Sequence, residues 1–187
     1  MPKKVLIAYG TRFGSTEEVS LKFKQTLEEN GFIVDLVNLR AKKKANPTIT
    51  EYFAVLIGSG IRITRWTKEA KKFLENNVKA INEKKILTGV FLCSGEASNP
   101  EKRSEVIEKY LVDVFTEFGL NLGENVLYDA FGGVFDLSKT SNLNWMNKRM
   151  LKMAANEDPN IVLNERKDYR DWDQINAFLD TFMRRLG

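Results

Sequence analysis

The 187-residue chain carries 29 lysines and arginines against 25 aspartates and glutamates, a formal net charge of +4, and 43% of its residues are hydrophobic. One cysteine and no histidine exclude an intramolecular disulfide, a CxxC redox pair, a multi-cysteine iron–sulfur set, imidazole catalysis and histidine-bearing zinc or haem sites, so no metal site is expected. The length suits one domain spanning residues 1–187; no signal peptide or run of 18 apolar residues is visible, which predicts a cytoplasmic protein and leaves peripheral contact with the inner face of the membrane open.

Residues 4–9 read as a buried strand and residues 17–30 as an amphipathic helix, with Gly10, Thr11, Arg12, Phe13, Gly14, Ser15 and Thr16 between them. A strand opening directly onto a helix N-terminus places backbone N–H groups and small hydroxyls where a phosphate can sit. The spacing is not the dinucleotide G-x-G-x-x-G pattern, and no lysine stands where a P-loop needs one. Three hydroxyls with one exposed arginine between them suit a monophosphate. One hydroxyl would suffice for a helix cap, with Glu18 completing a capping box from Ser15, so the loop offers more than a cap requires.

A second strand at residues 32–37 completes a β-α-β unit. The basic run of Arg40, Lys42, Lys43 and Lys44 has no interleaved aromatic and reads as a solvated connection, so no nucleic-acid binding is expected. At most one helical turn, at 48–51, precedes the third strand at 52–57. That strand ends in Gly58-Ser59-Gly60-Ile61-Arg62-Ile63, a loop placed where open α/β sheets bind ligands. Ala70, Phe73, Leu74, Val78 and Ile81 form the core face of the next helix, and Trp66 either approaches a ligand or packs as a lid.

The fourth strand, 86–92, enters Cys93-Ser94-Gly95-Glu96; without a histidine partner the thiol is not expected to be a nucleophile. A helix at about 101–118 and a fifth strand at 125–131 follow, and Gly132-Gly133 breaks the strand. Some forty residues then precede the last helix, where a minimal domain needs only a short connection. Residues 137–156 contain Lys139, Lys148, Arg149 and Lys152 and no acidic residue. On a helix over 143–155, Leu143, Met146, Met150 and Met153 share one side, and Trp145 lies with the cations on the other. Such a helix either lies on an anionic membrane or packs its Met-rich side on the domain. Residues 158–167 read as a polar connector, after which Asp171 caps a helix with Trp172, Ile175, Phe178, Leu179, Phe182 and Leu186 on its core side.

The run from Tyr9 to Thr16 resembles the FMN phosphate loop of the flavodoxin superfamily. Its Thr-Arg pair followed by Gly-x-Thr is more similar to the flavodoxin-type, menaquinone-dependent protoporphyrinogen IX dehydrogenases than to electron-carrier flavodoxins. Gly58 to Arg62, the Phe131-Gly132-Gly133-Val134-Phe135-Asp136 run with the basic region after it, and Asp171-Trp172 resemble further signatures of that family. The resemblance implies a flavodoxin-like, doubly wound α/β fold with a five-stranded parallel sheet in the order 2-1-3-4-5 and a basic helical insertion at about 133–168. It implies FMN held by Thr11, Arg12, Phe13, Gly14, Ser15 and Thr16 at the phosphate, by Ser59, Gly60, Ile61 and Arg62 against the ring, and by Cys93, Ser94 and Gly95 on the other side. Arg62 is the expected catalytic residue, through its charge near the flavin. The third loop departs from the family pattern, being less apolar and lacking the expected asparagine before Asn99. The implied activity passes reducing equivalents from a porphyrinogen-like donor through FMN to a quinone, with membrane contact through residues 137–156. The alternative is a flavodoxin-type carrier that docks on a redox protein, against which the basic balance argues. The oligomeric state is not legible.

Overall fold

The computed structural model describes residues 3–41, 47–138, 141, 145, 148–149, 152–153 and 163–187. Five strands, β1 (Lys4–Gly10), β2 (Ile33–Asn38), β3 (Ala54–Gly60), β4 (Leu87–Cys93) and β5 (Val126–Phe131), form one sheet in the order β2-β1-β3-β4-β5. Every neighbouring pair is parallel. Parallel pairing demands crossovers, and crossovers cover both faces, which is why β1 and β3 are apolar almost without interruption.

Alternate strand residues feed two separate cores. Leu6, Val55, Ile57, Val90 and Leu92 pack with Ala70, Phe73, Leu74 and Ile81 of α2 (Lys68–Lys84) and with Phe115 of α4 (Asp113–Phe118). Val5, Ile7, Leu56 and Phe91 point the other way, onto Val19, Phe23 and Leu27 of α1 (Ser15–Glu29) and Ile175, Phe178 and Phe182 of α5 (Trp172–Leu186). The second core is aromatic. Phe23 meets Phe91 edge-on with ring centroids 5.1 Å apart and stacks on Phe178 at 6.0 Å, while Phe131 meets Phe178 edge-on at 5.6 Å. Gly58 makes room for this cluster, since a Cβ there would lie 2.4 Å from the Phe91 ring.

The crossover after β4 is a helical run rather than one regular helix. It begins as α3 (Pro100–Ile107), with Asn99 accepting the Glu101 N–H at 2.9 Å, widens into a π-helical turn over Glu108–Val112, and ends as α4. Among the described residues of the crossover after β2 the helical part is the 3₁₀ turn Ile49–Glu51, where the sequence predicts one turn. At α5, Asp171 accepts from the Asp173 and Gln174 N–H groups at 3.0 and 3.1 Å, the expected cap.

The region after β5 departs most from expectation. Val134–Asp136 (β6) pairs antiparallel with Arg166–Asp168 (β7), a ribbon outside the main sheet, so the stretch read as a polar connector ends in a strand. Three-residue strands with mixed burial lack a period long enough to announce themselves. Trp145, Lys148, Arg149, Lys152 and Met153 are helical, in line with the predicted insertion helix; Trp145 and Met153 are exposed. Leu143, Met146 and Met150, the other members of the predicted apolar side, lie outside the described residues, as do residues 42–44 of the basic run. Among the described residues no helix is long and apolar enough to cross a membrane.

Phe23 is fully buried against three other rings, so Phe23→Ala should cost about 3–5 kcal/mol. Urea unfolding should show this as a lower midpoint with an unchanged slope.

Candidate functional site

Register aligns the strand ends. Gly10 of β1 sits opposite Ser59 of β3, and Gly60 sits opposite Cys93 of β4. Three loops therefore leave the carboxyl edge of the sheet side by side. The Ile61 N–H donates to the Cys93 carbonyl at 2.9 Å, and a Cβ on Gly60 would lie 3.3 Å from Thr16 Oγ1. The missing side chain at Gly60 is what lets the second loop pass close to the first.

In the first loop Thr11 Oγ1 accepts the Gly14 N–H at 3.0 Å, and Gly14 takes a left-handed backbone (φ 94°) that turns the chain into α1. No side chain caps that helix. Ser15 is already its first helical residue, and Ser15 Oγ accepts the Val134 N–H of β6 at 2.9 Å. The Ser15–Glu18 capping box is therefore not formed, and the Ser15 hydroxyl is committed to the protein. Thr16 Oγ1 is buried and has no hydrogen-bond partner among the described residues. Leaving a buried hydroxyl unpaired costs roughly 1–3 kcal/mol, so this atom marks a place prepared for something else.

Both carboxylates of the first turn are engaged. Glu17 accepts from the Tyr9 hydroxyl at 2.8 Å, and burial together with that bond raises the Tyr9 pKa. Glu18 is held by Arg170 at 2.6 Å and by Arg166 at 2.9 Å. The Arg170 side chain is almost fully buried, bonds Asp168 as well, and lies 4.7 Å over the Trp172 ring. Burial works against its charge, but the bonds to Asp168 and Glu18 outweigh it and raise its pKa. Burial likewise opposes the Asp168 charge, and Arg170 reverses the balance and lowers that pKa.

Arg12 is half-buried rather than exposed, and its Nη2 donates to the Trp66 carbonyl at 3.1 Å. Burial lowers its pKa, and the Arg40 and Arg62 cations add to the effect. In the second loop, Ser59 Oγ is buried, accepts the Thr67 N–H at 3.0 Å and lies 3.1 Å from Thr67 Oγ1, so this hydroxyl fastens the start of α2. Trp66 settles as packing: it is buried in the core, and its indole N–H donates to the Tyr110 carbonyl at 2.7 Å. Arg62 and Arg65 exchange two backbone hydrogen bonds across Ile63 and Thr64, both with left-handed backbone (φ 45° and 59°). Branched side chains pay steric energy there, and Ile63 stands exposed at the tip.

In the third loop burial pushes the Cys93 thiol up to about 12, which keeps it a neutral thiol; the Thr16 hydroxyl, nearby but outside hydrogen-bond geometry, and Arg170 oppose this only in part. Gly95 packs against the Phe135 ring, and the Gly133 N–H donates to Ser98 Oγ at 3.2 Å. Thus β6 closes over the first and third loops. Val134 and Phe135 belong to the run after Gly132-Gly133 that carries the family resemblance, but neither they nor Arg170 are among the site residues expected from the sequence, and Arg170 has no local signal.

The first loop thus brings Thr11, Arg12, Phe13, Gly14 and Thr16 to the same edge as Gly60, Ile61, Arg62, Ser94 and Gly95. It can hold an anion through backbone donors and one hydroxyl, beside a strip of backbone from the other two loops. Among the described residues no group of three or more carboxylates or thiols could hold a metal ion.

Comparison with known proteins agrees with this geometry. The Flavodoxin domain family matches residues 6–160. Over 177 residues the chain is 23% identical to a protoporphyrinogen IX dehydrogenase [quinone] of Escherichia coli, covering 94% of this chain and 92% of that protein. Two solved flavodoxins of Bacillus cereus, flavodoxin 1 and flavodoxin 2, superpose with TM-scores of 0.55 and 0.53 at 12% and 15% identity. They cover 98% and 97% of this chain, and 99% of each flavodoxin, and they share its fold.

The Asp168–Arg170 contact has a pH signature. A folded pKa below the ordinary 3.8 stabilises the fold above that value, and the stabilisation is lost as pH falls through the folded pKa. Asp168→Asn should lower stability at pH 7 by roughly 2–3 kcal/mol and flatten the decline as pH falls below the ordinary 3.8, as read by urea midpoints at neutral and acid pH. At the second loop, Ile63→Asn with Thr64→Gly should raise stability by about 1–2 kcal/mol, visible as a higher thermal midpoint.

Proposed function

Because the chain belongs to the flavodoxin domain family, we propose that it is an FMN-dependent oxidoreductase that passes reducing equivalents from a porphyrinogen-like donor to a quinone. The observation that carries the cofactor assignment is the buried, unpartnered Thr16 hydroxyl at an uncapped helix N-terminus. Such a place suits a phosphate, which accepts from backbone N–H groups and hydroxyls together.

Thr11, Arg12, Phe13, Gly14 and Thr16 hold the phosphate end in this reading. Gly60, Ile61 and Arg62 on one side, and Cys93, Ser94 and Gly95 on the other, flank the ring. Ser15 and Ser59 support these loops through their bonds to Val134 and Thr67. FMN, when bound, supplies the two-electron chemistry, which the side chains here cannot perform. Arg62 adds positive charge on the ring side, and Arg170 keeps Glu18 from repelling the phosphate. The donor loses two electrons and two protons per turnover, and the quinone takes up the same number to become a quinol.

Similarity to the Escherichia coli dehydrogenase at 23% identity, against 12% and 15% for the superposed flavodoxins, supports an enzyme rather than a carrier. The exposed Trp145, close in sequence to the helical Lys148, Arg149 and Lys152, supports contact between the insertion and an anionic membrane, where a quinone would be met.

Thr16→Val tests the cofactor site. FMN affinity should fall at least about tenfold, the worth of one good hydrogen bond to a charged group. Stability without FMN should hold or rise, because the variant removes an unpaired hydroxyl. Titration with FMN and thermal unfolding of the flavin-free protein measure the two. Unchanged affinity would remove the assignment, and an absence of turnover with protoporphyrinogen and a menaquinone analogue in flavin-loaded protein would favour the carrier.

A further inference from the structure

A basic cavity lies beside the candidate cofactor loops and, Arg12 apart, shares no residue with the assignments above. It is a groove of about 680 Å³ between the second loop, the start of α2 and the π-helical turn after α3, and Arg12 reaches into it from the first loop. That volume is in the range of small-molecule sites.

Its lining is one-sided in charge. Arg12, Arg65, Lys68, Lys71 and Lys109 face it, and no carboxylate does so among the described residues. Lys71 is paired with Glu117 at 2.9 Å, whereas Arg65, Lys68 and Lys109 form no ion pair among those residues. Gathering cations from four segments of chain into one concavity is unfavourable until an anion neutralises them.

The floor is aromatic and held in place. The Trp66 indole donates to the Tyr110 carbonyl at 2.7 Å, the Trp66 carbonyl accepts from Arg12 at 3.1 Å, and the Tyr110 hydroxyl bonds Glu96 at 3.2 Å. Tyr110 lies within the π-helical turn, where the regular i→i−4 ladder is broken and where side chains and carbonyls are often re-aimed for function. Lys109 extends over the Tyr110 ring at 5.4 Å. An aromatic floor under a ring of cations fits a small molecule with an apolar or flat body and several anionic oxygens. A flat acidic protein face would not enter the concavity.

We propose that this groove is a binding site for a small organic polyanion, its charges carried by carboxylate or phosphate groups. The ligand's anionic groups engage Lys68, Lys109 and Arg65, and its body meets the narrow exposed edges of Trp66 and Tyr110. Because Arg12 also belongs to the first loop, the polyanion is held next to the candidate redox site. The assignment stands on the groove alone and does not depend on flavin binding.

Calorimetric titration of the full chain with benzene-1,3,5-tricarboxylate, and separately with pyrophosphate, tests it, each with and without saturating FMN. The tricarboxylate should bind more tightly than pyrophosphate if the aromatic floor contributes, and raised salt should weaken both. Lys68→Gln with Lys109→Gln, both exposed and outside the cofactor loops, should weaken binding about tenfold or more. Lys79→Gln with Lys102→Gln, an equal charge change away from the groove, should leave it within about twofold. No binding by either probe, equal weakening by both pairs of variants, or displacement of the probe by FMN would overturn the proposal. If FMN fails to bind, the two variant pairs decide the matter unaided.

Discussion

The candidate site depends on parallel register. Opposing Gly10 to Ser59, and Gly60 to Cys93, sets three strand ends in one row, so loops far apart in sequence open onto the same edge. A slip of one residue in β3 would exchange the faces of Val55, Leu56 and Ile57, which now serve opposite cores. The demand that apolar residues on both faces find their layers therefore also fixes where the loops emerge. Core packing and site geometry are one constraint seen from two sides.

Charge is managed around that row. A helix start favours an anion through its free N–H groups, yet α1 places Glu17 and Glu18 in its first turn. The Tyr9 hydroxyl donates to Glu17, and the buried Arg170 with Arg166 offsets the charge of Glu18. Arg12 is crowded by Arg40 and Arg62 on the open side. The loop region is consequently basic where a ligand would enter and neutralised where the helix acids sit.

Much of this was legible in the sequence. Continuous apolar runs gave the five strands, helical periodicity gave the buried faces of the helices, and Asp171 gave a cap that forms as read. The shared edge of the three loops followed from the strand order that the family resemblance implies. What the sequence concealed was the use of individual polar atoms. Ser15 and Thr16 are adjacent hydroxyls of equal promise in the chain, but one is bonded to Val134 and the other is left unpaired. Ser59 Oγ holds the Thr67 N–H, and Trp66 became core because Tyr110 offered it an acceptor. Each outcome depends on a partner at least seven residues away, a distance over which local pattern carries no information. The β6–β7 ribbon was hidden for a related reason, since its pairing is long-range and its strands are short.

The hydrogen bond from Val134 to Ser15 spans 119 residues, and the ion pair between Arg170 and Glu18 spans 152. On a ribosome adding about 5–20 residues per second, the first loop emerges well before either partner does. Its strand and helix can associate early through the sheet, but the contacts that seat Ser15 and neutralise Glu18 must wait until nearly the whole domain has left the exit tunnel. The loop made first is thus among the last parts to be finished, and a nascent chain cut short before Arg170 would carry the loop's sequence without its completed shape.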